Sequence, residues 1–252
     1  MKITDYSKIA DNYDKNKTRH KILKDTVIGE LYDTEKTNFT VLDLSCGTGN
    51  YLERQITEYP TSKYKIKWIG IDKSVEMINK ARQKNLDAEL IIADVIDLSL
   101  ETDSVDYIKN RFAFHHYTDK EKAVQEMYRI LRQNGKLSIE NLNHEYMHNS
   151  WVYKYFPVSI ELDNERFPKT FEYYKLLENN GFKIKFNVKI YVKKFKYKDI
   201  IEETKNRDMS QFQLMTENEY RTGLEKMEED SKTNEYILGD IAFTEIYCEK
   251  LK

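Results

Sequence analysis

Three aspartates in the first half of the chain stand at or just beyond the ends of predicted strands: Asp43, Asp72 and Asp94. In an open parallel sheet, ligands bind outside the carboxyl ends of the strands, where a carboxylate can accept both hydroxyls of a ribose. A turn of small residues, 45–49, follows the first strand and lets a ligand approach N–H groups at the start of a helix. This spacing predicts a site for a ligand that contains a nucleoside.

The turn departs from two phosphate-binding motifs. Residues 45–52 read SCGTGNYL, which lacks both the Gly-x-Gly-x-x-Gly pattern of dinucleotide sites and the Gly-Lys-Ser/Thr of a Walker loop. Asp43, two residues before the turn, would repel a pyrophosphate and suits a cationic ligand better. Adenosine that carries an ammonium and a sulfonium meets this requirement. A nicotinamide-dependent oxidoreductase is disfavoured because the glycine pattern is missing.

Strand and helix patterns alternate between residues 38 and 145. Short apolar runs predict strands at 41–44, 67–71, 90–93, 105–108 and 136–139. Ser74 is expected to cap the helix that follows the second strand, and Gly135 to end the helix before the fifth. Strands of four or five apolar residues separated by helices indicate βαβ units and a parallel sheet covered on both faces, so the class is α/β.

The second half of the chain has a different pattern. Residues 170–180 predict a helix, and 182–192 alternate strictly between apolar and polar, which predicts a strand with one buried face. Charged helical patterns follow at 199–207 and 216–229, and 241–248 is a last strand candidate. Because neither a repeat nor a low-complexity linker divides the chain, residues 1–252 are expected to form one domain.

Composition narrows the class of protein. The chain has 252 residues, 41 Lys and Arg against 43 Asp and Glu, and a net charge of −2, which argues against a protein that grips nucleic acid along a broad basic face. It contains no run of about 18 apolar residues and no secretory signal pattern, so a membrane span is not expected. Two cysteines are too few for a disulfide framework. A cytoplasmic location is the simplest expectation.

Six motifs in the expected order give the chain its resemblance to the class I S-adenosylmethionine-dependent methyltransferases. They read VLDLSCGTG from 41, IGIDKS from 69 with Met77, IADV from 92, DSVDY from 103, FAFHH from 112 and LRQNGK from 131. The resemblance is close over residues 3–145 and looser over 150–195. It implies a Rossmann-like, doubly wound sheet of seven strands whose last strand inserts antiparallel between the fifth and sixth. It also implies the cofactor S-adenosylmethionine and the product S-adenosylhomocysteine.

The resemblance assigns cofactor-binding roles along this core. Asp43 and the turn would hold the methionyl part, Asp72 the ribose hydroxyls, and Asp94 the exocyclic amine of adenine. Asn110 and Arg111 would lie near the sulfonium. In chain order, the implied cofactor-binding residues are Tyr13, Asp43, Ser45, Cys46, Gly47, Gly49, Asp72, Lys73, Met77, Asp94, Val95, Asn110, Arg111 and His115.

The same resemblance divides the chain by task. Residues 1–35 would form an N-terminal helical cap in which Tyr6 and Tyr13 face the cofactor, and 36–145 the cofactor-binding core. Residues 146–180 and 196–240 would cover the acceptor, with aromatic side chains at Trp151, Tyr153, Tyr155, Phe156 and Phe167. The family often has glycine where this chain has Ser45.

Methyl transfer from a sulfonium requires mainly positioning and the exclusion of water, and a base only if the acceptor must lose a proton. His115 and His116 are the catalytic candidates, followed by His144 and Glu140. A metal site is not expected, because adjacent histidines rarely converge on one ion. Residues 110–113 read NRFA instead of the Pro-Pro motif of relatives that methylate base or glutamine amino groups, which disfavours that subclass.

Seven lysines lie between residues 183 and 198, at 183, 185, 189, 193, 194, 196 and 198. Such a row could contact phosphates, but protection of an edge strand against aggregation is the favoured interpretation. The predicted function is methyl transfer to the O, N or C atom of a small molecule. The alternatives are a tRNA- or protein-directed methyltransferase, if the lysines border the pocket mouth, and a non-catalytic S-adenosylmethionine-binding protein.

Overall fold

A seven-stranded sheet forms the centre of the computed structural model, which describes residues 5–6, 10–14, 22–32, 38–61, 63–207 and 209–251. The strands are β1 (Phe39–Leu44), β2 (Ile66–Asp72), β3 (Glu89–Ile92), β4 (Val105–Arg111), β5 (Leu131–Leu142), β6 (Phe182–Lys196) and β7 (Tyr236–Lys250). Their order is β3-β2-β1-β4-β5-β7-β6. Strand β7 is antiparallel to both of its neighbours, and the other pairs are parallel. The predicted topology is confirmed, including the inserted last strand.

Helices cover both faces of this sheet. They are α1 (Ala10–Tyr13), α2 (Thr26–Tyr32), α3 (Asn50–Glu58), α4 (Val75–Gln83), α5 (Lys120–Ile130), α6 (Trp151–Tyr155), α7 (Val158–Arg166), α8 (Thr170–Asn179), α9 (Tyr197–Lys205), α10 (Gln211–Leu214) and α11 (Glu217–Asp230). One core cluster contains Leu42 of β1, Ile108 of β4 and Tyr173 of α8. A second core cluster contains Trp68 of β2 and Tyr107 of β4. A doubly wound α/β fold follows from apolar side chains on both faces of the central strands.

The predicted cap of α4 is confirmed, and the predicted end of α5 is wrong. Ser74 accepts a hydrogen bond from the Met77 N–H at 3.2 Å. Gly135, however, lies inside β5, because α5 ends at Ile130 and the strand begins at the next residue. Leu131 pairs there with Val105 of β4, so sheet pairing claims the residues that were expected to finish the helix.

A separate apolar cluster joins helices α6, α9, α10 and α11 beside the ends of β6 and β7. Trp151, Phe156, Phe212 and Met227 form its buried centre. This cluster is built from the two segments that were expected to cover the acceptor. Much of the expected N-terminal cap lies outside the described residues, at 1–4, 7–9, 15–21 and 33–35. None of the helices that the structure describes is long and apolar enough to cross a membrane.

Candidate active site

Two cavities open at the carboxyl ends of the parallel strands, on either side of the turn at 45–49. The smaller measures about 530 Å³ and the larger about 850 Å³. The turn between them has left-handed backbone at Ser45 (φ 64°), Gly47 (φ 54°) and Gly49 (φ 77°). Left-handed backbone is easy for glycine but costs a residue with a Cβ atom, so Ser45 is a strained position.

The smaller cavity collects the residues predicted to bind a nucleoside. Asp72 lines this cavity and accepts hydrogen bonds from the N–H groups of Gly47 at 2.8 Å and Ser74 at 2.9 Å. Burial raises the pKa of Asp72, while these N–H groups oppose the rise. Further along the wall, Asp94 forms an exposed ion pair with Lys73 at 2.6 Å. The predicted residues that line this cavity are Tyr13, Ser45, Gly47, Asp72, Lys73, Met77, Asp94, Val95, Arg111 and His116.

Asp43 faces the larger cavity as an incompletely bonded buried charge. It is 3% exposed, and its Oδ2 atom has no hydrogen-bond partner among the described residues. Burial raises the pKa of Asp43 to about 7, and the nearby Arg111 guanidinium limits the rise. A buried carboxylate oxygen without a partner fits an incoming cation such as an ammonium, because a cation would compensate its lost hydration.

Five residues line both cavities and form their junction: Tyr13, Ser45, Gly47, Arg111 and Phe112. Arg111 donates to Glu140 at 2.8 Å, which lowers the pKa of Glu140. Phe112 has φ 50°, and its N–H donates to the Glu140 carbonyl at 2.8 Å. The Arg111 and Phe112 side of the junction is therefore held by β4 and β5, and a molecule in either cavity would contact the same five residues.

Three predicted residues, all within the described ranges, lie outside the two cavities: Gly49, Asn110 and His115. Asn110 is fully buried on the opposite face of β4 from Arg111. His115 stacks on Phe167 with ring centroids 4.0 Å apart, and burial holds its pKa well below the usual value. The structure thus places Asn110, expected near the sulfonium, and His115, expected among the cofactor-binding residues, away from the walls of both cavities. Cys46 lines the larger cavity and also packs into the apolar core beside β1.

The remaining candidate bases have weakened basicity. His116 lines the smaller cavity, and its Nε2 lies 2.6 Å from the Tyr6 hydroxyl. Burial lowers the pKa of His116 to about 3. Burial also lowers the pKa of His144, and Glu140 is paired with Arg111. None of these three side chains is therefore a strong base in the ligand-free fold.

The sequence did not point to Tyr117, whose hydroxyl lies 2.7 Å from Ser45 Oγ in the wall of the smaller cavity. A signal existed, because Tyr117 directly follows the FAFHH motif. Among the expected acceptor aromatics, Trp151 and Tyr153 line the larger cavity, while Tyr155 and Phe156 belong to the core of its cover. The described residues contain no group of three or more His, Cys, Asp or Glu side chains that could hold a metal ion.

Comparison with known proteins assigns the family. The family model described as the methyltransferase domain matches residues 35–206, more than half of the chain. The chain belongs to this family. Within that family it groups with the class I S-adenosylmethionine-dependent methyltransferases, which use S-adenosylmethionine as their cofactor. The residues present fit that cofactor, because a nucleoside-sized cavity with carboxylates lies beside an unpartnered buried oxygen of Asp43.

The individual relatives described next share only 19–28% sequence identity with this chain. A ubiquinone/menaquinone biosynthesis C-methyltransferase from Rickettsia prowazekii is 28% identical over 142 residues, which are 52% of this chain and 56% of the relative. The chain thus matches only a little over half the length of this curated relative. Among solved structures, the YcgJ protein of Bacillus subtilis has a TM-score of 0.60 at 20% identity and covers 90% of this chain and 98% of its own.

A second solved structure is a phosphoethanolamine N-methyltransferase 2 from Haemonchus contortus, in complex with phosphomonomethylethanolamine and S-adenosylhomocysteine. Its TM-score is 0.53 at 19% identity, and the match covers 90% of this chain and 52% of that one. At these identities the structural matches establish the fold and leave the acceptor open.

Proposed function

We propose that the protein transfers the methyl group of S-adenosylmethionine to a small-molecule acceptor that binds in the larger cavity. The observation that carries this proposal is the junction, where Ser45, Arg111 and Phe112 belong to both cavities. An in-line displacement needs a donor and an acceptor that meet at one point while each keeps its own binding surface. We place the protein in the cytoplasm, as its composition favours.

The residues around the smaller cavity would hold the cofactor. Asp72 would accept from the ribose hydroxyls and Asp94 from the adenine amine, while Met77 and Val95 supply apolar surface for the ring. Asp43, on the larger-cavity side of the junction, would accept from the ammonium group, so the methionyl end of the cofactor would reach past the junction. Bound there, S-adenosylmethionine supplies a methyl group that its sulfonium has already activated.

The larger cavity has the walls expected for an acceptor with a sizeable apolar part. Its apolar lining residues are Ile22, Leu142, Met147, Trp151, Val152, Tyr153, Phe195, Ile200, Met209, Tyr236, Ile241, Ala242 and Phe243. Mostly apolar walls with a few placed polar groups are typical of small-molecule sites. Residues 146–180 and 196–240 would act as the acceptor cover, which shields the junction from water.

A tRNA- or protein-directed reaction is the second candidate. Lys193, Lys194 and Lys196 line the larger cavity, so part of the lysine row does border it. Asp199 and Asp240 line the same cavity and would repel phosphates. The mixed charge favours the small molecule, and the salt dependence of acceptor binding separates the two, because phosphate contacts weaken steeply with salt.

A single substitution that changes one cavity and leaves the other unchanged tests the proposal. Ile241→Trp narrows the larger cavity and leaves the residues of the smaller one unchanged. We expect this variant to bind S-adenosylhomocysteine like the wild type and to lose methyl transfer in a screen of small acceptors with labelled cofactor. Val192→Trp, on the exposed sheet edge outside both cavities, is the matched control. Loss of S-adenosylhomocysteine binding in Ile241→Trp alone would contradict the division.

A further inference from the structure

The turn at 45–49 offers a ligand fewer backbone donors than its sequence suggests. The Cys46 N–H donates to the Ile71 carbonyl at 2.9 Å, and the Gly49 N–H donates to the Cys46 carbonyl at 2.9 Å. The Gly47 N–H is taken by Asp72 at 2.8 Å. Three of the five N–H groups of the turn are therefore already hydrogen-bonded within the protein. A ligand that needs a hydrogen-bond donor at the turn must then rely more on side chains.

Asn110 fixes the direction of a hydrogen-bond chain behind this turn. Its Nδ2 lies 2.9 Å from the Leu44 carbonyl oxygen, which can only accept, so the amide nitrogen must face it. The second Nδ2 hydrogen then points to the Tyr117 hydroxyl at 2.7 Å. Tyr117 oxygen is consequently an acceptor, and its own hydrogen is available for Ser45 Oγ at 2.7 Å.

The direction of the last bond follows from the chemistry of the two hydroxyls. A phenol is a stronger donor and a poorer acceptor than an aliphatic hydroxyl, and Tyr117 oxygen already accepts from Asn110. Tyr117 therefore donates to Ser45, and the hydrogen of Ser45 is left for another acceptor. Ser45 lines the junction of both cavities and is only partly buried, so this hydrogen can reach a ligand.

We propose that Ser45, oriented by Tyr117 and Asn110, donates its hydroxyl hydrogen to the carboxylate of the methionyl part of the cofactor. This inference rests on the proposed function of the same site. A carboxylate is the strongest acceptor that the cofactor offers, and the Asp43 oxygen nearby serves the ammonium of the same group. Asn110 and Tyr117 are then positioning residues, and the strained backbone of Ser45 is retained for its hydroxyl.

Calorimetry with two nucleosides tests the proposal. S-adenosylhomocysteine carries the carboxylate, and 5′-methylthioadenosine lacks the whole amino acid part. In Ser45→Ala, the dissociation constant for S-adenosylhomocysteine is expected to rise about tenfold, the scale of a hydrogen bond to a charged group, while that for 5′-methylthioadenosine stays within about twofold. Ser45→Gly should give the same ligand pattern with an equal or higher Tm, because glycine relieves the strain at φ 64°.

Tyr117→Phe provides an independent variant. It should weaken S-adenosylhomocysteine binding selectively, and combining it with Ser45→Ala should add little, because the two hydroxyls act in one chain. Unchanged S-adenosylhomocysteine affinity in both Ser45 variants would overturn this inference and leave the proposed function standing. Equal losses for both nucleosides would overturn it as well, since the hydroxyl would then serve the nucleoside part. A wild-type protein that binds neither nucleoside would overturn the proposed function itself.

Discussion

The two cavities that meet at Ser45 and Arg111 come from different parts of the chain. Apart from three N-terminal residues, the smaller is lined entirely from residues 44–118, where strand ends succeed one another. The larger combines the same strand ends with residues 140–153, 193–211 and 236–243. The proposed cofactor site is local in sequence, whereas the proposed acceptor site is assembled from distant segments.

This difference explains why the residues of the smaller cavity could be predicted from the sequence and those of the larger cavity could not. Parallel strands place their carboxyl ends together by geometry, so a carboxylate at each end is enough to predict a shared site. The acceptor side depends on how α6, α9, α10 and α11 pack against the ends of β6 and β7, which no short motif specifies. The family can therefore be assigned while the acceptor stays open.

The largest effect is expected for Asp72 in the wall of the smaller cavity. Asp72→Ala removes the carboxylate that would accept from the ribose hydroxyls and that accepts from the Gly47 N–H. Each of these hydrogen bonds involves a charged group and is worth about 1.5–3 kcal/mol. The dissociation constant for S-adenosylhomocysteine should rise at least about 100-fold by calorimetry. Lys67→Ala, which removes an exposed ion pair with Glu89 elsewhere on β2 and outside both cavities, is the control and should change it by less than about threefold. A similar loss in both would break the assignment of Asp72.

Gly223→Ala should damage the acceptor side alone. A Cβ atom at Gly223 would lie 2.3 Å from the Phe156 ring and 2.6 Å from the Tyr155 carbonyl oxygen, so α11 must shift. Overpacking of this kind costs about 1–3 kcal/mol of unfolding free energy, against about 1 kcal/mol gained by alanine in a helix. Methyl transfer should fall while S-adenosylhomocysteine affinity is kept. Thr222→Ala, exposed on the same helix, is the control, and a stabilised Gly223→Ala variant would refute the packing.

Asp43 should make cofactor binding depend on pH. Its pKa is about 7, so the carboxylate that accepts the ammonium becomes protonated as the pH falls from 8 to 6. S-adenosylhomocysteine affinity should then decline by up to about tenfold per pH unit below the pKa. In Asp43→Asn, calorimetry across this range should give a weaker and flatter profile. An unaltered pH profile in that variant would exclude Asp43 as the source.

The same pKa predicts a stability effect of known sign. Because the folded-state pKa of Asp43 lies above its ordinary value of 3.8, the ligand-free fold is penalised at high pH and relieved as the pH falls. Asp43→Asn should be more stable than the wild type at pH 8, with a difference that shrinks between about pH 7 and pH 4. Urea unfolding at several pH values measures this difference.

The smallest effect is expected at the edge strand. Lys193→Gln with Lys194→Gln should change the KM for a small acceptor by less than about twofold at 0.15 M salt, since exposed charges are screened. The matched control is Lys183→Gln with Lys185→Gln, at the other end of β6. A loss of acceptor affinity of more than tenfold at low salt that shrinks as the salt concentration is raised, confined to the first pair, would favour a nucleic acid acceptor.

Sequence patterns predicted the order of the strands, the Ser74 cap and the place of β7, because each depends on local periodicity or on a recurrent fold. They did not predict the side-chain directions at the end of β4. Successive side chains of a strand point to opposite faces, so Arg111 reaches the junction while Asn110 turns into the core. The stacking of His115 on Phe167 of a distant segment has no local signal at all.

A crystal structure of the complex with S-adenosylhomocysteine tests the central claim most directly. We expect adenine between Met77 and Val95 with its amine toward Asp94, ribose on Asp72, and the sulfur at the junction of Ser45, Arg111 and Phe112. The larger cavity would then remain open to an acceptor. Adenine in the larger cavity, or a sulfur atom away from the junction, would contradict the division of the molecule into a cofactor site and an acceptor site.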